Sequence, residues 1–125
     1  MSWVYSIAFL GDRFVMVYNP TRKGWEMPGG RIEKGETDEQ AAIREFKEES
    51  GCNFRPSASI PHRDGMVFTG DLDCPVKKAE MEWDLFVNLP EKLGFPEEEY
   101  GPLIEWAKQE KKKRGEPTRF NSCIS

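Results

Sequence analysis

Residues 29–52 constrain the fold of this chain more than any other stretch. Residues 28–30, Pro-Gly-Gly, predict a turn, because glycine permits backbone geometry and close approach that other residues do not. Thr37 followed by Gln40 matches a capping box, which predicts the start of a helix. Gly51 suits a left-handed cap at the end of that helix. The stretch therefore predicts a loop, a helix and a second loop.

Three glutamates of the predicted helix fall on one face. Glu45, Glu48 and Glu49 stand at i, i+3 and i+4, and such positions are neighbours on a helix of about 3.6 residues per turn. Gathering like charges there costs about a few tenths of a kcal/mol per pair. A cluster of carboxylate oxygens is a ligand set for a hard divalent cation such as Mg²⁺ or Mn²⁺. The alternative is an ordinary solvated face of a glutamate-rich helix.

Length and charge bound the remaining possibilities. A chain of 125 residues predicts one domain over residues 1–125, with a loose polar tail at 116–125. The net charge of −4 argues against nucleic-acid binding through a general basic surface. The single histidine, His62, excludes a two-histidine zinc site.

Cysteine content and hydropathy predict a cytoplasmic protein. Cys52, Cys74 and Cys123 are widely spaced and odd in number, which fits neither a disulfide framework nor a zinc site and favours a reducing compartment. No apolar run approaches the roughly 20 residues that span a bilayer, and no signal peptide is evident at the N-terminus.

The order of predicted elements is α/β. Runs of β-forming residues predict strands at 3–10, 14–18, 25–27, 54–60, 66–72 and 81–87. The first two form a hairpin, and Pro56 makes the fourth an edge strand or a bulged one. A turn is predicted at 74–78. Pro102 suits the first position of a second helix that ends near Arg114.

The spacing of the residues around the first helix resembles the Nudix box, the signature of the Nudix hydrolases. Five residues separate the glycine from the first glutamate of the pattern, and seven more precede the arginine. The positions that match by identity are Gly30, Glu36, Arg44, Glu45, Glu48, Glu49 and Gly51. Phe46 and Cys52 stand where the family usually has aliphatic residues, and both remain apolar. The match is dense over 25–52 and fainter over 80–107.

The resemblance, which points to MutT-like nucleotide pyrophosphohydrolases, implies a fold and a reaction. The fold is an α/β/α sandwich with a central mixed β-sheet. The reaction is divalent-metal-dependent hydrolysis of the pyrophosphate bond in a nucleoside diphosphate linked to another moiety, by attack of water on phosphorus. The implied cofactor is Mg²⁺, with Mn²⁺ as an alternative. The expected substrate is a small nucleotide such as a (d)NTP, and the protein is expected to be a monomer or a homodimer.

The resemblance also assigns roles to particular residues. The implied metal ligands are Gly29 (through its carbonyl), Glu45, Glu48 and Glu49. The implied supporting residues are Gly30, Glu36 and Arg44. The general base is left open between a glutamate and a metal-bound hydroxide. The candidate glutamates are Glu45, Glu48 and Glu80, with Glu82 a weaker candidate, because the family often places a further glutamate at the start of a later strand.

Substrate contacts are nominated from residue type alone. Arg22, Lys23 and Arg31 are candidates for phosphate contacts. Trp25 is a candidate for stacking on a base, and so are Phe68 and Phe120, although each of these aromatics equally suits a hydrophobic core.

Two other functions fit the same sequence. One is a catalytically silent Nudix-fold sensor that binds a nucleotide, but such proteins usually lose glutamates of the box, and this chain retains them. The other is removal of pyrophosphate from RNA 5′ ends, for which a basic segment at 111–119 offers a contact surface.

Overall fold

The structure is a computed structural model that describes residues 2–75 and 79–114. In these ranges it contains two helices and one sheet of seven strands. The strands are β1 (Trp3–Leu10), β2 (Arg13–Asn19), β3 (Gly24–Glu26), β4 (Gly29–Arg31), β5 (Cys52–His62), β6 (Gly65–Pro75) and β7 (Trp83–Phe86). The helices are α1 (Asp38–Ser50) and α2 (Glu97–Arg114). The predicted tail at 116–125 lies outside the described residues.

The sheet is mixed, as predicted. Its main order is β3-β2-β1-β6-β5, with β4 paired to β1 and β7 paired to β2. β1 and β6 are parallel, whereas the other pairs of named strands are antiparallel. β5 lies at an edge, and its register shifts between Pro56 and Ala58. The predicted edge or bulge at Pro56 is therefore confirmed on both counts.

Alternating side chains of the sheet build a separate core on each face. One core packs Ala41, Ala42 and Phe46 of α1 against strand residues that include Val4, Ala8, Val15, Phe54 and Phe68. The other packs Tyr100, Leu103, Ile104 and Ala107 of α2 against strand residues that include Ile7, Phe9, Phe14 and Met16. Because neighbouring positions of β1 face different helices, the sheet lies between them. The predicted α/β/α sandwich is confirmed.

Helix α1 begins and ends where the local signals predicted. Thr37 is the N-cap, and it forms a reciprocal capping box with Gln40. Gly51 closes the helix with φ of 77°, and its N–H donates to the carbonyl of Lys47. Left-handed geometry favours glycine there.

The predicted turn at residues 28–30 is confirmed only at Pro28, where the backbone bends between β3 and β4. Gly29 and Gly30 lie in β4, opposite Tyr5 and Val4 of β1. A Cβ on Gly29 would collide with the backbone carbonyl of Val4 and approach Cδ1 of Tyr5 to 2.8 Å. Gly29 thus allows close packing of two strands, and the local sequence does not distinguish this role from a turn.

The predicted start of the second helix at Pro102 is also wrong. Helix α2 begins five residues earlier, at Glu97, and contains Pro102. Burial of Tyr100, which is 3% exposed, favours the longer helix, and Gly101 has no Cβ to clash with the proline ring.

The predicted turn at 74–78 fails at its first two residues, which belong to β6, whereas 76–78 lie outside the described residues. In the described part of the chain, neither helix is both long and apolar enough for a membrane crossing.

Candidate active site

A cleft opens where β1 changes partners. At Phe9 and Leu10 this strand pairs with β2, but at residues 3–5 it pairs with β4. The cleft between these pairings has a volume of about 410 Å³, within the roughly 300–1,000 Å³ typical of ligand sites. It is lined by Trp3, Tyr5, Val17, Asn19, Arg22, Glu26, Met27, Gly29, Glu49, Met81 and Phe95. It therefore combines aromatic walls with a few polar groups.

Helix α1 and strand β4 meet closely at one end of this cleft. The N–H of Gly29 donates to Oε1 of Glu49 at 3.2 Å. A Cβ on Gly30 would collide with the carboxylate of Glu45. Any residue other than glycine at position 30 would therefore displace the Glu45 carboxylate. This steric requirement explains why the predicted pattern has glycine at this position.

Arg44 connects the carboxylates beside the glycine pair. Its Nε and Nη2 donate to the two carboxylate oxygens of Glu36, at 2.6 and 3.0 Å. Its Nη1 donates to Glu45 at 3.1 Å and to Glu48 at 3.3 Å. Its Nη2 also donates to the carbonyl of Arg31 at 3.1 Å. One guanidinium thus joins α1, the preceding loop and β4.

Burial and neighbouring charge perturb the acids of the site. Burial raises the pKa of Glu49 to about 8, and repulsion from Glu45, Glu26 and Glu48 adds to the effect, against the bond from the Gly29 N–H. Burial also raises the pKa of Glu45, which the hydrogen bond from Arg44 opposes. Perturbed acids in a cleft are typical of functional sites.

The donor chemistry of the site suits a hard divalent cation. Glu45, Glu48 and Glu49 offer oxygen ligands only, and the first two already meet at Arg44. The space that a Cβ on Gly30 would fill belongs to the Glu45 carboxylate. Within residues 2–75 and 79–114, no three acidic, histidine or cysteine side chains form a ready-made metal cluster. Ion binding would therefore require these carboxylates to exchange some of their protein hydrogen bonds.

Two further predicted site residues, Glu80 and Arg31, are hydrogen-bonded through their backbones to residues of α1. The N–H of Glu80 donates to the carbonyl of Glu48 at 3.1 Å, and the residue is exposed. Arg31 is exposed, and its guanidinium carbon lies 5.4 Å from the ring centroid of Trp3, at the cleft.

The other nominated substrate contacts are dispersed. Arg22 lines the cleft and pairs with Glu26. Lys23 is exposed in the turn before β3 with φ of 53°, and it does not line the cleft. Trp25 packs edge-on against Tyr18 and Phe86, which places it with the α2-side core.

Sequence reasoning missed several residues that line the cleft. Glu26 is the main one, because it is a charged side chain only 7% exposed. Trp3, Tyr5 and Phe95 supply the aromatic walls instead of Trp25. The sequence did contain a signal for Glu26, because it is a charged residue within a short run of β-forming residues. Successive side chains of a strand point to opposite faces, so Glu26 faces away from Trp25.

Fold and site together define a Nudix-type α/β/α sandwich with an acidic helix beside a glycine pair and a cleft. The family model described as the NUDIX domain matches residues 5–80. The chain therefore belongs to the NUDIX family, and the predicted family is confirmed.

Several relatives give the range of similarity. YtkD of Bacillus subtilis (strain 168), provisionally named an 8-oxo-dGTP diphosphatase, is 38% identical over 104 residues, which cover 73% of this chain and 65% of that protein. An RNA pyrophosphohydrolase of Sulfurovum sp. (strain NBC37-1) is 48% identical over 40 residues, covering 32% of this chain and 26% of that protein. The chain thus spans less than two thirds of the length of either relative.

A solved structure supports the fold. A MutT structure from work on the Aliivibrio salmonicida and Vibrio cholerae proteins is 26% identical, with a TM-score of 0.66. The superposition covers 86% of this chain and 97% of that one.

Proposed function

We propose that this protein hydrolyses the pyrophosphate bond of a small nucleotide derivative, a (d)NTP above all, in a reaction that depends on Mg²⁺ or Mn²⁺. One observation carries the proposal. The carboxylates of Glu45 and Glu49 lie against Gly30 and Gly29 at the end of a cleft with the volume of a ligand site. Membership of the NUDIX family supports the reaction class.

The acids of α1 serve as metal ligands in this proposal. Glu49, Glu45 and Glu48, together with the carbonyl of Gly29, would hold the cation. A divalent ion in such a place neutralises phosphate charge and lowers the pKa of a coordinated water. Arg44 orients Glu45 and Glu48 through hydrogen bonds at 3.1 and 3.3 Å. Glu36 in turn orients Arg44.

The general base is a glutamate. No described histidine lines the cleft, so the proton of the attacking water passes to a carboxylate of Glu45, Glu48 or Glu80. Glu80 is included because its backbone is hydrogen-bonded to that of Glu48.

The nucleotide base would occupy the aromatic part of the cleft. Trp3, Tyr5 and Phe95 line it, and aromatic side chains offer large surfaces for packing against a planar heterocycle. The name of the relative YtkD favours purine (d)NTPs, including oxidised ones, as the first substrates to test.

A second candidate is pyrophosphate removal from triphosphorylated RNA 5′ ends. The observation that favours it is the 48% identity with the Sulfurovum RNA pyrophosphohydrolase over 40 residues. Cleavage of such RNA that weakens with rising salt, and that exceeds (d)NTP cleavage, would select this candidate.

The test is a panel of (d)NTPs, oxidised dNTPs and nucleoside diphosphate derivatives with Mg²⁺ or Mn²⁺, scored by product mass. We expect cleavage that stops with a chelator and falls about 100-fold or more in Glu49→Gln. Glu39→Gln is the matched control, because Glu39 is exposed in the first turn of the same helix. A folded protein that leaves the whole panel and the RNA intact would contradict the proposal. Nucleotide binding without turnover would indicate the sensor function.

A further inference from the structure

The buried carboxylate of Glu26 is hydrogen-bonded to side chains of Asn19 and Arg22, which precede α1 in the chain. Glu26 is 7% exposed and lines the cleft. Its carboxylate accepts hydrogen bonds from Nε and Nη2 of Arg22, the latter at 3.2 Å. It also accepts one from Nδ2 of Asn19 at 3.3 Å. The buried charge is thereby compensated, as a charge in a protein interior requires.

Arg22 connects this carboxylate to an aromatic wall of the cleft. Its guanidinium carbon lies 4.9 Å from the ring centroid of Phe95, within the range of a cation–π contact. Both side chains line the cleft. The carbonyl oxygen of the Asn19 side chain accepts the N–H groups of Thr21 and Arg22 at 2.9 and 3.2 Å, which fixes the turn that carries Arg22.

Gly94 lies against the same carboxylate of Glu26, in the loop before Phe95. Its N–H donates to the carbonyl of Trp25 at 2.9 Å, and the N–H of Trp25 donates to Lys92 at 2.8 Å. These bonds attach the loop before Phe95 to β3. A Cβ on Gly94 would collide with a carboxylate oxygen of Glu26 and lie 2.5 Å from its Cγ. Glu26 therefore packs directly on a glycine of the loop.

We propose that Glu26 and Gly94 are positioning residues that hold Arg22 against Phe95 and so set how tightly the cleft binds the base of a nucleotide. The proposal rests on the function proposed above and extends it from the phosphate end of the cleft to the base end. The planar guanidinium of Arg22 lies over the ring of Phe95 and is held by the Glu26 carboxylate. It retains further N–H groups that can donate to a nucleotide base. The hydrogen bonds of Glu26 go to Asn19 and Arg22, and Gly94→Ala retains the charge through which Glu26 repels Glu49. We therefore expect that variant to change affinity and to leave the chemical step close to that of the wild type.

Gly94→Ala is the sharpest test, because it displaces the Glu26 side chain and removes no charge. Gly94 is not in the left-handed region of backbone geometry, so alanine adds no backbone strain. Glu91→Gln is the control, since Glu91 is an exposed residue shortly before Gly94 and does not line the cleft. Glu26→Gln is the second variant, which keeps the side-chain volume and removes the charge that holds Arg22.

The measurements are kcat and KM for the (d)NTP that the wild type cleaves best, and Kd for dGMP and dAMP by calorimetry without metal. We expect KM and Kd to rise about three- to tenfold in Gly94→Ala and Glu26→Gln, the size expected for one cation–π or ionic contact. We expect kcat within about twofold of wild type in Gly94→Ala, which keeps the charge of Glu26, and we expect Glu91→Gln to be unchanged in all three constants. A urea unfolding curve for each variant separates lost affinity from lost folding.

Several results would overturn the inference. Unchanged KM and Kd in a folded Glu26→Gln would do so, whether or not Gly94→Ala folds. A fall in kcat at constant KM would place Glu26 in the chemical step instead. Failure of the wild type to bind either mononucleotide would also overturn it. The proposed function would fail separately if the protein cleaved no nucleotide. Mononucleotide binding that still responded to these variants would then leave the present inference standing.

Discussion

Arg44 and Glu36 form a two-bond ion pair that joins helix α1 to the loop before it. Nε of Arg44 lies 2.6 Å from Oε2 of Glu36, and Nη2 lies 3.0 Å from Oε1. The planar guanidinium fits the planar carboxylate, so the pair fixes orientation as well as distance. The remaining nitrogen, Nη1, then points at Glu45 and Glu48. The pair thus sets the direction of two proposed metal ligands.

Replacing this arginine by lysine tests that role. In Arg44→Lys a single ammonium replaces the fork, so it cannot keep both bonds to Glu36 and also reach Glu45. We expect the dissociation constant for Mg²⁺ or Mn²⁺ to rise, and kcat/KM to fall, by about 10- to 100-fold. Calorimetric metal titration and steady-state kinetics measure the two effects. Arg13→Lys, at an exposed arginine of β2, is the control, and equal metal affinity in the two variants would refute the role.

The pH dependence of stability tests the other partner. The hydrogen bond from Arg44, with that from the Glu33 N–H, lowers the pKa of Glu36 below its ordinary 4.5. Because the folded state holds the carboxylate more acidic than the unfolded state, the contribution to stability is full above about pH 4.5 and is lost as the pH falls through the lowered pKa. The urea midpoint of the wild type should therefore exceed that of Glu36→Gln near about pH 7, and the gap should close as the pH falls well below 4.5. A gap that is constant with pH would show that the ion pair is not its source.

Gly30→Ala tests the contact between β4 and the acidic helix. The added Cβ would collide with the carboxylate of Glu45, which is the far end of a flexible side chain. We expect a folded protein in which Glu45 has moved, with activity at least about tenfold lower. Circular dichroism and kinetics measure both properties. Full activity in a folded Gly30→Ala would mean that the observed position of Glu45 is not needed for the reaction.

Glu80→Gln tests the open choice of general base. Glu80 is hydrogen-bonded through its backbone to Glu48, whereas the carbonyl of Glu82 pairs with the N–H of Tyr18 in β2. If Glu80 takes the proton, kcat should fall about 100-fold or more at saturating metal. Glu82→Gln tests the weaker candidate in the same way, and Glu39→Gln is the control, as all three residues are exposed. A small loss in both Glu80→Gln and Glu82→Gln would leave Glu45 and Glu48 as the candidate glutamates.

Local sequence was sufficient for helix α1 and for most strands. The capping box at Thr37 and the glycine cap at Gly51 act within a few residues, so their effect does not depend on the rest of the fold. The hairpin of β1 and β2 likewise follows from two adjacent β-forming runs. The spacing of the glutamates relative to Gly30 was enough to indicate the family, and the family model confirms it.

Tertiary structure decided the features that depend on residues far apart in the chain. The pairing of Gly29 with Tyr5 places the glycine pair in a strand, and burial of Tyr100 extends α2 beyond its proline. The same holds for the cleft, because the Glu26 side chain that lines it packs against Gly94 of a loop far away in the chain. Local signals thus fixed which segments are helix and strand and where the acids lie. Packing between distant segments determined which side chains face the cleft, because that choice depends on contacts no short stretch contains.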